Sequence, residues 1–211
     1  VQPRKEGRVH FKNAGILIDR RHGAELYLAL NKGGVFKFFR DGKLVASDTH
    51  VSLHVDGKKP RTAVAHLVGN YDVQQTADAM TLSGALGWAK SKGMTPFNLI
   101  VLRLIMFCGG RLQPDLVRKL LQKLLITGKT EAPFQFRRHL QWREGELEVT
   151  DEVTAESWSG VRAVGIGASQ TSIYVVMSRT YQPGQLQPWL DLTPQLHSLP
   201  VGGVLRVQRR F

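Results

Sequence analysis

Apolar and polar residues alternate with a period of two along much of this chain, in short runs. Leu26, Leu28 and Leu30 alternate with Tyr27 and Ala29, and Val51, Leu53 and Val55 share one parity. Phe134, Phe136, Arg138, Leu140 and Trp142 share another. A period of two belongs to strands with one face against a core. Between the runs stand Arg21-His22-Gly23, Asn31-Lys32-Gly33-Gly34, Asp41-Gly42 and Arg143-Glu144-Gly145, rich in the residues that tolerate the positive φ of tight hairpin turns. Strands are predicted over 14–19, 24–30, 35–39, 43–46 and 50–55, forming one meander whose last strand carries His50, Ser52 and His54 on its polar face. Residues 61–68 and 80–88 are weaker strands, the second interrupted by Gly84 and Gly87. Strands at 134–142, 146–153, 162–168, 172–179 and 204–207 complete the set.

The period changes at Thr95. Thr95 is a good N-cap, Pro96 suits a first helical turn, and the apolar run ends at Gly109-Gly110, which together predict a buried helix over about 96–108 with Leu102 and Leu104 in the core. A second helix over 114–125 places Leu116, Val117, Leu120, Leu121 and Leu124 on one stripe and Arg118, Lys119, Gln122 and Lys123 opposite. A buried strand over 99–107 is the alternative for the first. Residues 182–200, rich in Pro and Gln, read as a surface connection with one helical turn at 193–197. The predicted fold is therefore mainly β: an antiparallel β-sandwich with an inserted helical hairpin. Residues 1–12 form a basic N-terminal segment or linker, and 13–211 a single sandwich domain.

With 211 residues, 42% of them hydrophobic, the chain can bury a substantial core. The longest apolar run, 99–108, is interrupted by Arg103 and falls short of the ~20 residues a bilayer span needs. Cys108 is the single cysteine, so neither an internal disulfide nor a cysteine metal site is available. The net charge of +12 is concentrated in the first two thirds: Lys and Arg outnumber Asp and Glu by 13 to 6 over residues 1–70 and by 8 to 3 over 71–130, whereas 131–211 balances at 8 each. Such an excess attracts polyanions, with a salt-sensitive affinity.

His50 and His54 invite a metal-site reading, but positions four apart on a strand are separated by ~13 Å, too far for two ligands that each need ~2 Å to one zinc ion. No metal site and no cofactor are expected. Arg137, His139 and Gln141 form a polar row that fits an anionic sugar, a domain interface or plain solvent. Arg138 falls on the apolar face and needs a carboxylate or carbonyl if buried, with Glu148 or Asp151 the neighbour across the hairpin. Of the tryptophans, Trp158 and Trp189 have the polar and Pro-rich surroundings that suit exposure and sugar stacking. Gly165-Ile166-Gly167 is not a nucleotide loop, because Gln170 takes the third glycine position and no helix pattern follows.

The segments Leu30 to Thr49 (LNKGGVFKFFRDGKLVASDT) and Phe136 to Val153 (FRRHLQWREGELEVTDEV) resemble the C-terminal β-sandwich region of heparinase II/III-like polysaccharide lyases, through the Lys32-Gly33-Gly34 hairpin and the Arg-containing strand before Asp151. The resemblance implies a module working with an N-terminal α/α toroid in binding or β-eliminative processing of an acidic polysaccharide. It also implies a bacterial periplasmic or secreted setting. Enzymatic activity of the chain itself is left open. Its candidate substrate-binding residues are His50, His54, Arg137, His139 and Trp158. The alternative is a stand-alone binding module for acidic glycan or nucleic acid, nucleic acid being the lesser candidate, or a structural interaction module without catalysis.

Overall fold

In a computed structural model of the chain, residues 5–89, 100, 103–104, 130–167, 190–200 and 202–211 are described. The chain divides into two units, residues 1–89 with 131–211, and residues 90–130. The first unit is built almost wholly from antiparallel strands in two sheets. A five-stranded meander contains β1 (Gly7–Phe11), β2 (Ile16–Arg21), β3 (Ala24–Ala29), β4 (Val35–Arg40) and β5 (Lys43–Asp48) in chain order. The larger sheet contains β6 (Val51–Val55), β7 (Arg61–Val64), β8 (Asp72–Gln75), β9 (Ala79–Ala89), β10 (Glu131–Arg143), β11 (Glu146–Ala155), β12 (Val161–Ile166), β13 (Leu190–Asp191) and β14 (Leu205–Arg210). Its order is β13-β12-β6-β7-β9-β10-β11-β14, with β8 also paired to β9. A short helix, Thr193–His197, falls where the sequence predicts a helical turn.

The two sheets face each other across one core. Leu17, Leu26, Leu28, Phe36 and Phe38 from the meander meet Leu82, Phe134, Phe136, Leu140, Leu147 and Val149 from the larger sheet, and all are buried. Each such side chain contributes ~1.5–3 kcal/mol on leaving water. Three hairpins close through two-residue turns with positive φ at both positions: His22-Gly23 (49° and 79°), Asp41-Gly42 (51° and 76°) and Glu144-Gly145 (52° and 81°). This turn's twist matches that of the strands it joins.

Several expectations change. Gly7–Phe11, read from sequence as part of a basic segment, is the edge strand β1, in register with β2 from Gly7↔Arg20 to Phe11↔Ile16. The strand 50–55 does not continue the meander: β6 joins the larger sheet between β7 and β12. The switch occurs at His50, whose φ of 73° turns the chain from one sheet into the other. Asp72–Gln75, all polar or exposed, is a strand that no apolar run announces. The predicted helical hairpin and the strand 172–179 lie outside the described residues, apart from Ile100, Arg103 and Leu104, which are helical. Leu104 is exposed rather than buried. Ile100, four residues away and so on the same helical face, is exposed with it.

The Lys32-Gly33-Gly34 hairpin is held by steric fit. A Cβ on Gly33 (φ 66°) would lie 2.8 Å from the Ala65 carbonyl oxygen and 3.1 Å from the Phe136 ring, whereas one on Gly42 (φ 76°) would meet nothing. Gly33→Ala is therefore expected to cost ~2–4 kcal/mol in urea unfolding, and Gly42→Ala only the ~1 kcal/mol of a left-handed alanine. Equal costs at the two glycines would disprove the close approach.

Candidate functional site

Two kinds of polar site are present, one buried between the sheets and one on the outer face of the larger sheet. The buried site centres on Arg138, whose side chain is wholly inaccessible. Its guanidinium donates to Asp151 Oδ1 (2.5 Å) and Oδ2 (3.0 Å), to Asp48 Oδ1 (3.1 Å) and to the Gly34 carbonyl (2.8 Å). Arg209 on β14 donates to the other oxygen of Asp48 (2.6 Å) and to Asp151 Oδ2 (2.5 Å). Asp151, one of the two neighbours the sequence offers, stands opposite Arg138 in the β10–β11 register. Glu148, its other candidate partner, instead accepts from Gln208 and Arg210. Asp48, Arg209 and the Gly34 carbonyl come from elements remote in sequence, and no local pattern identifies them.

Electrostatics holds this cluster ionised. Burial disfavours the charged form of each group, but Arg138 and Arg209 outweigh it at Asp48 and keep that carboxyl well below the usual carboxylate range. Asp151 is lowered too, with Arg138 again overcoming burial, and Arg138 itself is raised by its two carboxylates. The Gly34 contact joins the Lys32-Gly33-Gly34 hairpin to β10.

His50 belongs to this buried site. Its backbone N–H donates to Asp48 Oδ1 (2.6 Å), its Nδ1 accepts from the Val51 N–H (2.7 Å), and its ring packs edge-on against Phe136 at 4.5 Å. Burial, reinforced by Arg138, depresses its pKa to about 3. Because Nδ1 accepts, the neutral ring carries its proton on Nε2, which has no hydrogen-bond partner among the described residues. The expectation of His50 as a substrate ligand on one face with His54 is corrected: positive φ breaks the strand parity at His50 and turns its ring into the core, where no glycan reaches it.

A second ionic clasp joins the sheets near the C-terminal end of β10. Buried Asp19 on β2 accepts from Arg8 (2.9 and 2.6 Å), from Arg21 (3.1 Å) and from the Trp142 indole N–H on β10 (3.1 Å). These groups are likewise committed to holding the sheets together.

The outer site is an open groove of about 710 Å³ over β8, β9, β10 and β11, lined by Asn70, Tyr71, Asp72, Gln135, Arg137 and Glu152 among others. Strand register builds it: Arg137 lies between Ser83 on β9 and Glu152 on β11, and Asp72 on β8 is opposite Ser83. Glu152 faces Arg206 on β14 at 3.6 Å. Arg137 is exposed and, among the described residues, forms no ion pair. Tyr71 is fixed beneath by its hydroxyl on the Ala65 carbonyl (2.8 Å) and its ring against Phe136 (5.7 Å). His139 is two residues along the same face, half-buried, with Nδ1 2.9 Å from Thr81 Oγ1.

His54 is on β6, half-buried, with Nδ1 3.2 Å from Thr62 Oγ1 and its pKa lowered by burial and by Arg162. Trp158 does not offer the free sugar platform expected of it. Its indole N–H donates to the carbonyl of Gly203, just before β14 (2.9 Å), and its ring packs on Phe134 at 6.1 Å. Trp189 lies outside the described residues. Of the five candidate residues, Arg137 and His139 share one surface and His50, His54 and Trp158 are elsewhere. Asn70, Tyr71, Asp72 and Gln135 were missed, since three of them lie in or beside a strand with no apolar alternation.

Among the described residues no group of three or more His, Cys, Asp or Glu side chains is arranged to hold a metal ion. No helix among them is long and apolar enough to cross a membrane. No protein-family model matches the chain, and neither a curated protein nor a solved structure matches it significantly.

Proposed function

We propose that the chain is a sandwich module of a heparinase II/III-like protein and that it binds an acidic polysaccharide in the groove over β8 to β11. The observation that carries the reading is Arg137: an exposed guanidinium without an ion pair among the described residues, set in an open groove beside amide, hydroxyl and carboxylate side chains. A planar guanidinium pairs bidentately with a carboxylate or sulfate, while Asn70, Gln135 and Asp72 suit sugar hydroxyls. The basic excess of the chain adds long-range attraction to a polyanion. Turnover by β-elimination is assigned to the assembly with an N-terminal α/α toroid, since the buried ionic groups here are inaccessible to substrate.

Titration calorimetry of the full chain with polygalacturonate, heparin, neutral dextran and duplex DNA tests this. Binding to an acidic glycan, none to dextran, and a loss of about tenfold in affinity for Arg137→Ala with an unchanged melting midpoint are expected. Affinity should also fall steeply with salt. Binding that is indifferent to Arg137→Ala, or equal for duplex DNA and every acidic glycan, would replace the groove reading by diffuse polyanion attraction.

A further inference from the structure

The meander carries apolar side chains on both faces, with Arg20, Glu25, Lys37 and Ser47 as the polar residues of the outer one. Its inner face forms the core, while its outer face carries Val9 and Phe11 on β1, Ile16 and Ile18 on β2, Tyr27 and Ala29 on β3, Val35 and Phe39 on β4 and Leu44 on β5, aligned by register into rows such as Phe11–Ile16–Ala29–Val35. Phe11 is 51% exposed, Val9 45% and Ile16 39%. An antiparallel sheet with one face in water ordinarily turns polar residues outward, and an exposed apolar patch of this kind marks an interaction surface.

The strand edges identify the occupant. Open strand edges are normally blunted by shortness, bulges or charge. Here β13 has two residues and β8 four, β14 bears Arg206, Arg209 and Arg210, and β5 carries a register shift beside Phe38 and Phe39. β1 has none of these: Gly-Arg-Val-His-Phe runs in unbroken register with β2, contains no proline, and its Arg8 is turned back onto Asp19. Among the described residues nothing pairs with its outer edge.

We propose that two copies of the chain associate through antiparallel pairing of β1 with β1, joining their meanders into one continuous sheet. The strand is self-complementary about its middle residue. A two-fold axis at Val9 sets Val9 against Val9, Arg8 against His10, and Phe11 of each copy over Gly7 of the other, where an aromatic ring covers the bare glycine backbone. The Val9 row then runs Tyr27–Ile18–Val9–Val9–Ile18–Tyr27 across both copies. The contact is at the small end of interface sizes, so it forms a concentration-dependent dimer. Each copy carries +12, so added salt strengthens the dimer by screening repulsion, opposite to its effect on polyanion binding.

Sedimentation velocity of the full chain from about 1 µM to 1 mM, at low and high salt, reads this directly. A dimer that tightens with salt is expected. Val9→Lys, at a position exposed enough to leave folding intact, sets like charges across the axis and should raise the dissociation constant about tenfold or more. Mixing Val9→Lys with Val9→Glu should restore a one-to-one heterodimer. A wild-type monomer throughout, a dimer insensitive to Val9→Lys, or a failure of the mixed variants to pair would each overturn the proposal.

Discussion

Arg138→Met is expected to destabilise the protein by ~3–5 kcal/mol, the largest effect of any single polar substitution here. The mutant loses a cation and strands two carboxylates, Asp48 and Asp151, that are almost wholly buried and that the guanidinium now reaches at 2.5 to 3.1 Å. Arg209 still bonds both, but one guanidinium then faces two almost wholly buried carboxylates. The appropriate control is Arg162→Met, since Arg162 pairs with Asp56 at 3.9 Å with both side chains more than half exposed. Exposed pairs of that kind contribute ~0–1 kcal/mol. Urea denaturation with a common slope separates the two, and similar midpoints for both variants would show that the buried cluster does not hold the sheets together. Arg138→Lys is also expected to be costly, because an ammonium cannot span Asp151, Asp48 and the Gly34 carbonyl at once.

Acid is expected to unfold the protein early, with His50 as the first cause. In the folded state burial holds His50 at a pKa of about 3, whereas in the unfolded chain it titrates near its ordinary value of 6.5. Below that ordinary value the unfolded chain takes up a proton that the folded chain refuses, so stability is full at neutral pH and is lost as pH falls from 6.5 towards 3. Each pH unit in that window costs ~1.4 kcal/mol, making the whole window worth on the order of 5 kcal/mol, comparable to the total stability of many domains. Asp48 and Asp151 act in the same direction at lower pH: their carboxyls are depressed in the fold, so below the ordinary carboxylate value of 3.8 the unfolded state again gains protons first. His50→Asn keeps a residue that tolerates positive φ and removes the titration. Its stability between pH 6.5 and 4 should be much flatter than that of the wild type, as read by urea midpoints at each pH. An unchanged slope in the variant would assign the acid sensitivity elsewhere.

Both experiments concern groups that hold the fold, and this division clarifies the function. The most polar and most perturbed groups in the described residues are buried between the sheets, facing one another. The open groove over β8 to β11 is lined by surface side chains on regular strands, the setting on which the proposed recognition of a polymer rests.

Hairpin order was legible wherever the code is local. His22-Gly23, Asp41-Gly42 and Glu144-Gly145 specify two-residue turns by their own backbone preferences, and the alternation in β3, β10 and β11 fixes which residues enter the core. Arg138 could be recognised as a cation that needs a carboxylate or carbonyl if buried, with Glu148 or Asp151 across the hairpin as the candidates, and the register of β10 with β11 selects Asp151. What the sequence could not determine was which strands share a sheet. β6 has the same apolar period as the meander strand β3, and only the turn at His50 sends it to β7 and β12. Periodicity records that a face is buried but not what buries it. For the same reason Asp48 and Arg209, 90 and 71 residues from Arg138 in the chain, entered the cluster only when the two sheets closed. β8, with every residue exposed, had no burial to leave a period in the sequence, so the groove it helps to form was decided by tertiary structure alone.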